Sequence, residues 1–490
     1  MVNLGGFSGM LGASGVGVAR RTTARDERQE GRMADQFDVI VVGARCAGSP
    51  LATLLVRQGL RVAVVERAAF PKDTLSTHIF QASAINFLKR LGVFEKVLET
   101  GARTYTWLDL RQEDFLGTFE MNQRPGDGGA FMSVRRFVLD PILLDAAAEA
   151  GAEVLMSTNV TGLRRDGDRV AGVTAVCQGQ ERALDAKLVV GADGRNSTVA
   201  ELAGARKYNV IPSARFGYWW FFENGDPGPD PAVVYHRWEG RFVIAMPADA
   251  GLYQVILFPD MRFLPEFRRD REAAFMAHAR ACRPVAEVLA GARPVGKMFG
   301  MLKYECFFRE SAGPGWVLVG DAGHFKDPAP GQGIADAFRQ AEALAPVIAR
   351  VVNDSDAALD AELTAWARWR DRDAAEHSWL AADFGAAGSP PTVVVEVTRR
   401  LYEQGRSGKL GDVLQHRLKP SAVFTPAVLL QAAGSAMRKP EVDRAQILRE
   451  VKDAIATDAR RRRLNRRPDF VPITEHRDAG ETEVPEEVTA

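Results

Sequence analysis

The chain has 490 residues, 46% hydrophobic and 26% charged, and its 63 basic and 63 acidic side chains leave no formal net charge. That length suggests two or three domains, and the charge balance argues against a nucleic-acid binder. The four cysteines (Cys46, Cys177, Cys282, Cys306) show no CxxC spacing, so neither a disulfide framework nor a zinc site is expected, and a reducing, cytoplasmic setting fits. No apolar run reaches the roughly 20 residues of a membrane span.

Residues 1–34 are Gly-rich, then basic, and contain a second methionine, Met33. They read as a disordered leader, because a secretory signal begins with its charged region. The folded protein is expected from about Asp35. Phe37 to Val42 is an apolar run suited to a buried parallel strand. A turn at Gly43 follows, then a helix through Ala47, Leu51 and Leu55 that stops at Gly59. Arg61 to Val65 reads as a second strand closed by Glu66 and Arg67.

This is the pattern of a dinucleotide turn. Gly43 permits the bend, Ala47 and Gly48 let the helix pack closely, and the helix N-terminus offers N–H groups to a pyrophosphate. Glu66 is spaced to accept hydrogen bonds from an adenosine ribose. Arg45 stands where the fingerprint has its second glycine. Its side chain must therefore point away or contact the phosphates itself.

A second segment, Gly191-Ala192-Asp193-Gly194-Arg195-Asn196-Ser197, ends the strand Ala186–Val190. In a third, the strand Trp316–Val319 leads into Gly320-Asp321-Ala322-Gly323-His324. Pro328 and Gly331-Gln332-Gly333 then open a long helix from about Ile334, with a break or kink expected near Pro346. Helix N-terminal N–H groups stabilise negative charge placed beside them. Arg136-Phe137-Val138-Leu139-Asp140 is a further short match.

In order and spacing these segments resemble the FAD-binding set of the flavoprotein aromatic hydroxylases, the single-component FAD monooxygenases of the para-hydroxybenzoate hydroxylase type. The resemblance implies FAD held by Gly43, Arg45, Ala47, Gly48, Glu66, Arg67, Arg136, Asp193, Gly194, Gly320, Asp321, Pro328 and Gly331 to Ile334. Asp321 would bind the ribityl hydroxyls, and the Gly331–Ile334 backbone would meet the pyrimidine edge. Arg136 would contact FAD. Besides Arg45, two positions depart from the family pattern: Ala200 replaces an arginine associated with the nicotinamide path, and Ala335 replaces a frequent asparagine.

The implied fold is α/β: a Rossmann-like FAD-binding domain with an inserted, mostly antiparallel β-sheet substrate domain and a helical C-terminal extension. The FAD-binding domain is assigned to 35–100, 134–205 and 310–385, and the substrate domain to 101–133 and 206–309. The helical extension takes 386–455, and 456–490 is expected as a disordered, charge-blocked tail.

The resemblance implies that NADPH or NADH reduces the flavin, that oxygen forms a hydroperoxide, and that an aromatic or polycyclic substrate is hydroxylated. No metal is expected. Tyr218, Trp220, Tyr235 and His236, with Trp219 and Trp238 nearby, are candidates for the substrate pocket. Alternate residues of a strand face opposite sides, so at most half of the 218–222 run can serve. His236 and His78 are candidate bases, although no motif places either. Two alternatives stay open: a reductase resembling the geranylgeranyl reductases, and a flavin-bound regulator without turnover. A flavin halogenase is less favoured, because the Trp-x-Trp-x-Ile-Pro motif is absent.

Overall fold

The computed structural model describes residues 36–471. The expected leader, 1–34, and the acidic end of the tail lie outside the described residues. β1 (Gln36–Val42), α1 (Gly48–Val56) and β2 (Val62–Val65) form the first β-α-β unit. β1 and β2 run parallel, with Val39 opposite Val62 and Val42 opposite Val65. Nearly all their side chains are buried, as expected of strands covered by helices on both faces. β3 (Glu153–Leu155), β4 (Gln180–Gly191) and β5 (Trp316–Leu318) complete a core of order β5-β4-β1-β2-β3. A hairpin, Thr158–Asp166 with Arg169–Cys177, continues antiparallel from β4. Two helices, α2 (Arg136–Ala150) and α3 (Gly333–Val351), pack on α1.

The second sheet has seven strands, ordered Arg293–Met301, Gly217–Glu223, Tyr253–Leu257, Arg241–Pro247, Val233–Trp238, Trp107–Gln112, Phe115–Glu120. Only the pair Val233–Trp238 with Trp107–Gln112 is parallel. The α/β architecture with an inserted, mostly antiparallel sheet is thus present. Residues from 101–133 supply two of that sheet's strands.

The C-terminal region is helical: α4 (Asp356–Gly385), α5 (Thr392–Glu403), α6 (Gly408–Leu414), α7 (Pro426–Ala436) and α8 (Arg444–Arg466). Two expectations are corrected. First, α3 continues through Pro346 without the break that the sequence allowed, with Leu344, Ala345 and Ile348 buried beside it; this packing offsets the hydrogen bond proline removes. Second, residues 456–466, assigned to the disordered tail, form the last turns of α8. That stretch is tied down by its charges: Arg461 pairs with Asp383 and lies over the Trp379 ring, and Trp379 Nε1 donates to Asn465 at 3.0 Å.

Two buried arginines fix this region to the second sheet. Arg215 donates to the carbonyls of Gly240, Phe258, Ala386 and Gly388 and pairs with Asp260 at 2.9 Å. Arg237 donates to Asp383, Ala386 and Gly388. Both thus cap the carbonyl-rich C-terminal end of α4, where positive charge is favoured.

Candidate active site

Three glycines bring the distant motifs together. A Cβ on Gly43 (φ +102°) would lie 2.5 Å from the Ala192 carbonyl oxygen. One on Gly48 would overlap the Gly43 carbonyl oxygen, and one on Gly320 would come within 2.9 Å of the Ala47 Cβ. All three segments therefore share one wall, and only glycine lets them meet. The N–H of Gly43 donates to Val65 at 2.8 Å, and that of Ala192 donates to Val42 at 2.8 Å.

The side chain of Arg45 turns away from the turn. Its Nη1 donates to Asp140 at 2.7 Å, and the guanidinium lies over Phe70. Asp140 also receives a two-point pair from Arg136, 2.6 and 3.0 Å, one turn away on α2. Glu66 Oε2 accepts from the Ala44 N–H at 2.8 Å and Oε1 from the Ala68 N–H at 2.9 Å. Each oxygen keeps a second lone pair. Arg67 is exposed beside it.

Asp193 is turned inward. It accepts from the Ser197 hydroxyl at 2.5 Å and the Val199 N–H at 3.2 Å, and Gly194 (φ +80°) completes that turn. Asp321 follows Gly320 on a short 3-10 turn. Burial pushes its carboxyl up to about 6, with nearby Arg136 acting in the opposite direction.

The loop from Pro328 reaches Gly331 (φ +69°) and then α3, whose start has no side-chain cap. α1 likewise begins without a side-chain cap, and its first turn has no acidic residue, whereas that of α3 carries Asp336. Two helix N-termini thus keep donors for an anionic ligand. Behind the start of α3 the Gln332 side chain bridges, accepting from Lys326 at 2.8 Å and donating to the Leu414 carbonyl at 2.8 Å. Lys326 pairs with Asp336 at 2.7 Å, and His416 lies 3.5 Å from that carboxylate. The C-terminal extension is therefore part of the cradle's foundation. Lys326, Asp327, Asp336 and His416 were missed from the sequence; the adjacent Lys326-Asp327 in an otherwise apolar stretch was the available signal.

The inner face of the second sheet lies opposite this loop. Trp219, Ile256, Ile244, Tyr235 and Leu110 stand in register across five strands. They belong to a buried cluster with Ile79, Phe131 and Ala329. The Tyr235 hydroxyl donates to the Pro330 carbonyl at 3.2 Å. Tyr218 and Trp220 occupy the alternate positions and pack on the outer face against Phe267 and Phe275, beneath the helices of 264–288. His236 is also behind the sheet, 3.4 Å from the Cys282 sulfur and 3.2 Å from Asp109. Three of the four pocket candidates are thereby corrected, because strand alternation turns them from the cradle. Tyr235 and Trp219 face it.

Between loop and sheet several buried polar atoms have no partner among the described residues: His78 Nε2, Gln81 Oε1 and Trp219 Nε1. Buried polar groups rarely go unpaired in a complete site. Together with two uncapped helix starts and the glycine-lined wall, they fit a bound flavin dinucleotide. No group of His, Cys, Asp and Glu suited to a metal occurs among the described residues, and no described helix is long and apolar enough to cross a membrane.

Comparison with known proteins agrees with this geometry. The protein family described as "FAD binding domain" matches residues 36–219. A digeranylgeranylglycerophospholipid reductase of Methanocella arvoryzae is 28% identical over 359 residues, 67% of this chain and 81% of that protein. The structure of the flavin-dependent brominase Bmp2 superposes with a TM-score of 0.68 at 19% identity, covering 82% of this chain and 99% of that one. PqsL of Pseudomonas aeruginosa, described as "a probable FAD-dependent monooxygenase", gives 0.58 at 20% identity, covering 77% and 100%. Residues 36–219 thus match an FAD binding domain, and the chain as a whole is similar to flavin-dependent reductases and shares the fold of flavin-dependent halogenases and monooxygenases.

Proposed function

We propose that the protein is an NAD(P)H-using monooxygenase that hydroxylates a neutral aromatic or polycyclic molecule. One observation carries this reading: the wall opposite the cradle is the apolar row Trp219, Ile256, Ile244 and Tyr235. Such a wall favours an uncharged ring, and buried aromatic side chains bind flat ligands through offset or edge contacts. When bound, FAD accepts the electron pair of NAD(P)H and activates oxygen. The chain's residues do the rest. The starts of α1 and α3 and the glycine wall would hold the dinucleotide, Asp321 would meet its ribityl chain, and the apolar row would exclude water. His236 is not a base for this reaction, since it lies behind the sheet. Tyr235 is not one either, because burial pushes its hydroxyl well above the usual range and Pro330 already accepts its proton.

A second reading is a reductase acting on a prenyl-type double bond. It is favoured by the reductase relative, which is named for a prenylated phospholipid. An apolar wall suits either substrate. Oxygen uptake separates the two. With NADPH and a panel of neutral aromatic compounds, a monooxygenase consumes oxygen in step with hydroxylated product. Substrate reduction that proceeds under anaerobic conditions establishes the reductase.

A further inference from the structure

His78 was a candidate base. It is 1% exposed and adopts φ +56°, a left-handed backbone unusual for a non-glycine residue and often found at functional sites. The conformation is held from several sides. The His78 N–H donates to the Ser76 hydroxyl at 3.1 Å, and the His78 carbonyl accepts from Val134 at 3.2 Å. Gln254 donates to the preceding Thr77 carbonyl at 3.1 Å while accepting from Ser133.

The ring is fixed as well. Its Nδ1 accepts the backbone N–H of Arg136 at 3.1 Å. A nitrogen that accepts carries no proton, so the neutral ring is the Nε2–H tautomer. Burial, followed by the Arg136 charge, holds its pKa down at about 3. The ring thus stays neutral across the physiological range and cannot accept a proton at Nδ1 without losing Arg136. This excludes the role of general base.

What remains is a donor. Nε2 is buried and has no partner among the described residues. Its surroundings belong to the cofactor cradle. Ile79, next in the chain, lies 3.1 Å from where a Cβ on Gly331 would stand, and Gln81 donates to the Pro330 carbonyl at 3.0 Å. Arg136, whose N–H fixes the ring, starts α2 beside Asp140 and Arg45. The edge of Phe221 at 5.3 Å closes the remaining side.

We infer that His78 is a neutral, pre-oriented hydrogen-bond donor to an acceptor atom of the flavin ring system. The inference rests on the FAD-binding assignment and extends it to a residue outside the glycine motifs. Because an unmet buried donor is costly, the bound ring regains that cost, and the donor favours electron density at the acceptor it meets.

The test uses FAD-loaded protein bearing His78→Phe or His78→Gln, together with FAD titration of the stripped forms. Glutamine can present an N–H near the Nε2 position, and phenylalanine cannot. Loss of one such bond predicts FAD affinity about tenfold weaker for His78→Phe, and within about threefold of the parent for His78→Gln. The visible band of bound FAD should shift in the Phe variant and return in the Gln variant. Should His78→Phe not fold, His78→Asn replaces it, since asparagine tolerates the left-handed backbone but its amide is too short. Unchanged affinity and spectrum in a folded, FAD-replete donor-less variant overturn the inference. So does equal loss in the Gln and Phe variants. A parent protein that takes up no FAD would instead overturn the cofactor assignment itself.

Discussion

Arg45 and Arg136 converge on the single carboxylate of Asp140, at 2.7 and 2.6 Å, across 95 residues of chain. Asp140 is fully buried, and Arg136 nearly so. This trio anchors the arginine that stands where the dinucleotide turn usually has a glycine. Removing the acid leaves buried positive charge uncompensated. Asp140→Ala is expected to cost about 3 to 5 kcal/mol of stability, read from urea unfolding. A cost within a few tenths of zero would show that the trio is not what holds this wall.

The two faces of the second sheet predict opposite behaviour for neighbouring residues. Trp219→Ala should alter ligand-stimulated NADPH oxidation, while Trp220→Ala should lower stability and leave that response intact. His236→Ala should behave like Trp220→Ala. Measuring stimulation by a fixed aromatic ligand, alongside melting temperature, separates the two. A His236 variant that folds normally but loses the response would place the substrate on the other face.

Asp321→Ala tests the ribityl assignment. If its carboxylate holds the chain of bound FAD, the purified variant should be depleted of cofactor while keeping its fold by circular dichroism. Full retention of FAD would sink that role.

Asp327 predicts a pH dependence. Its carboxyl is 3% exposed and raised to about 6 by burial, although the Ala329 N–H and Tyr304 hydroxyl partly offset this. The folded chain therefore keeps this proton up to about pH 6, whereas the unfolded chain releases it near the ordinary value of 3.8. Below that value both states are protonated and nothing is lost. As pH rises through the window, folding loses up to about 3 kcal/mol, and the loss is constant above it. Asp327→Asn removes this component. The stability of the variant relative to the parent should rise between about pH 4 and 6 and then level off. Parallel profiles from unfolding titrations at several pH values would refute it.

Arg215 supports the junction with the helical extension. Arg215→Ala leaves four carbonyls and the Asp260 carboxylate without this donor. Limited proteolysis should then cut within 383–391 before elsewhere. If cleavage there is no faster than in the parent, the clamp is not what holds the segment.

The motifs readable in the sequence were those in which backbone geometry dictates residue type. Gly43, Gly48 and Gly320 are required by contacts at which any side chain would collide. The continuous apolar runs of β1 and β2 mark strands buried on both faces. Side-chain direction was less readable. The fate of Arg45 depends on an aspartate on another helix, and the aromatic run at 218–222 does not reveal which face meets the cradle. The extension's place was hidden because Arg215 and Arg237 recognise backbone carbonyls, which carry no residue signature. The tail helix escaped notice because a block of arginines reads as solvated until Asp383 and Trp379 are found beside it.

The wall shared by Gly43, Ala192 and Gly320 also sets a schedule for biosynthesis. A ribosome has made the first glycine turn long before the strand Trp316–Leu318 exists to line β4. The foundation of α3 waits further, for Leu414 and His416. Until then β4 has an open edge, and the growing chain presents an unpaired strand to its neighbours. The cradle is thus complete only once nearly the whole chain has been made, because its wall and its foundation come from opposite ends of the sequence.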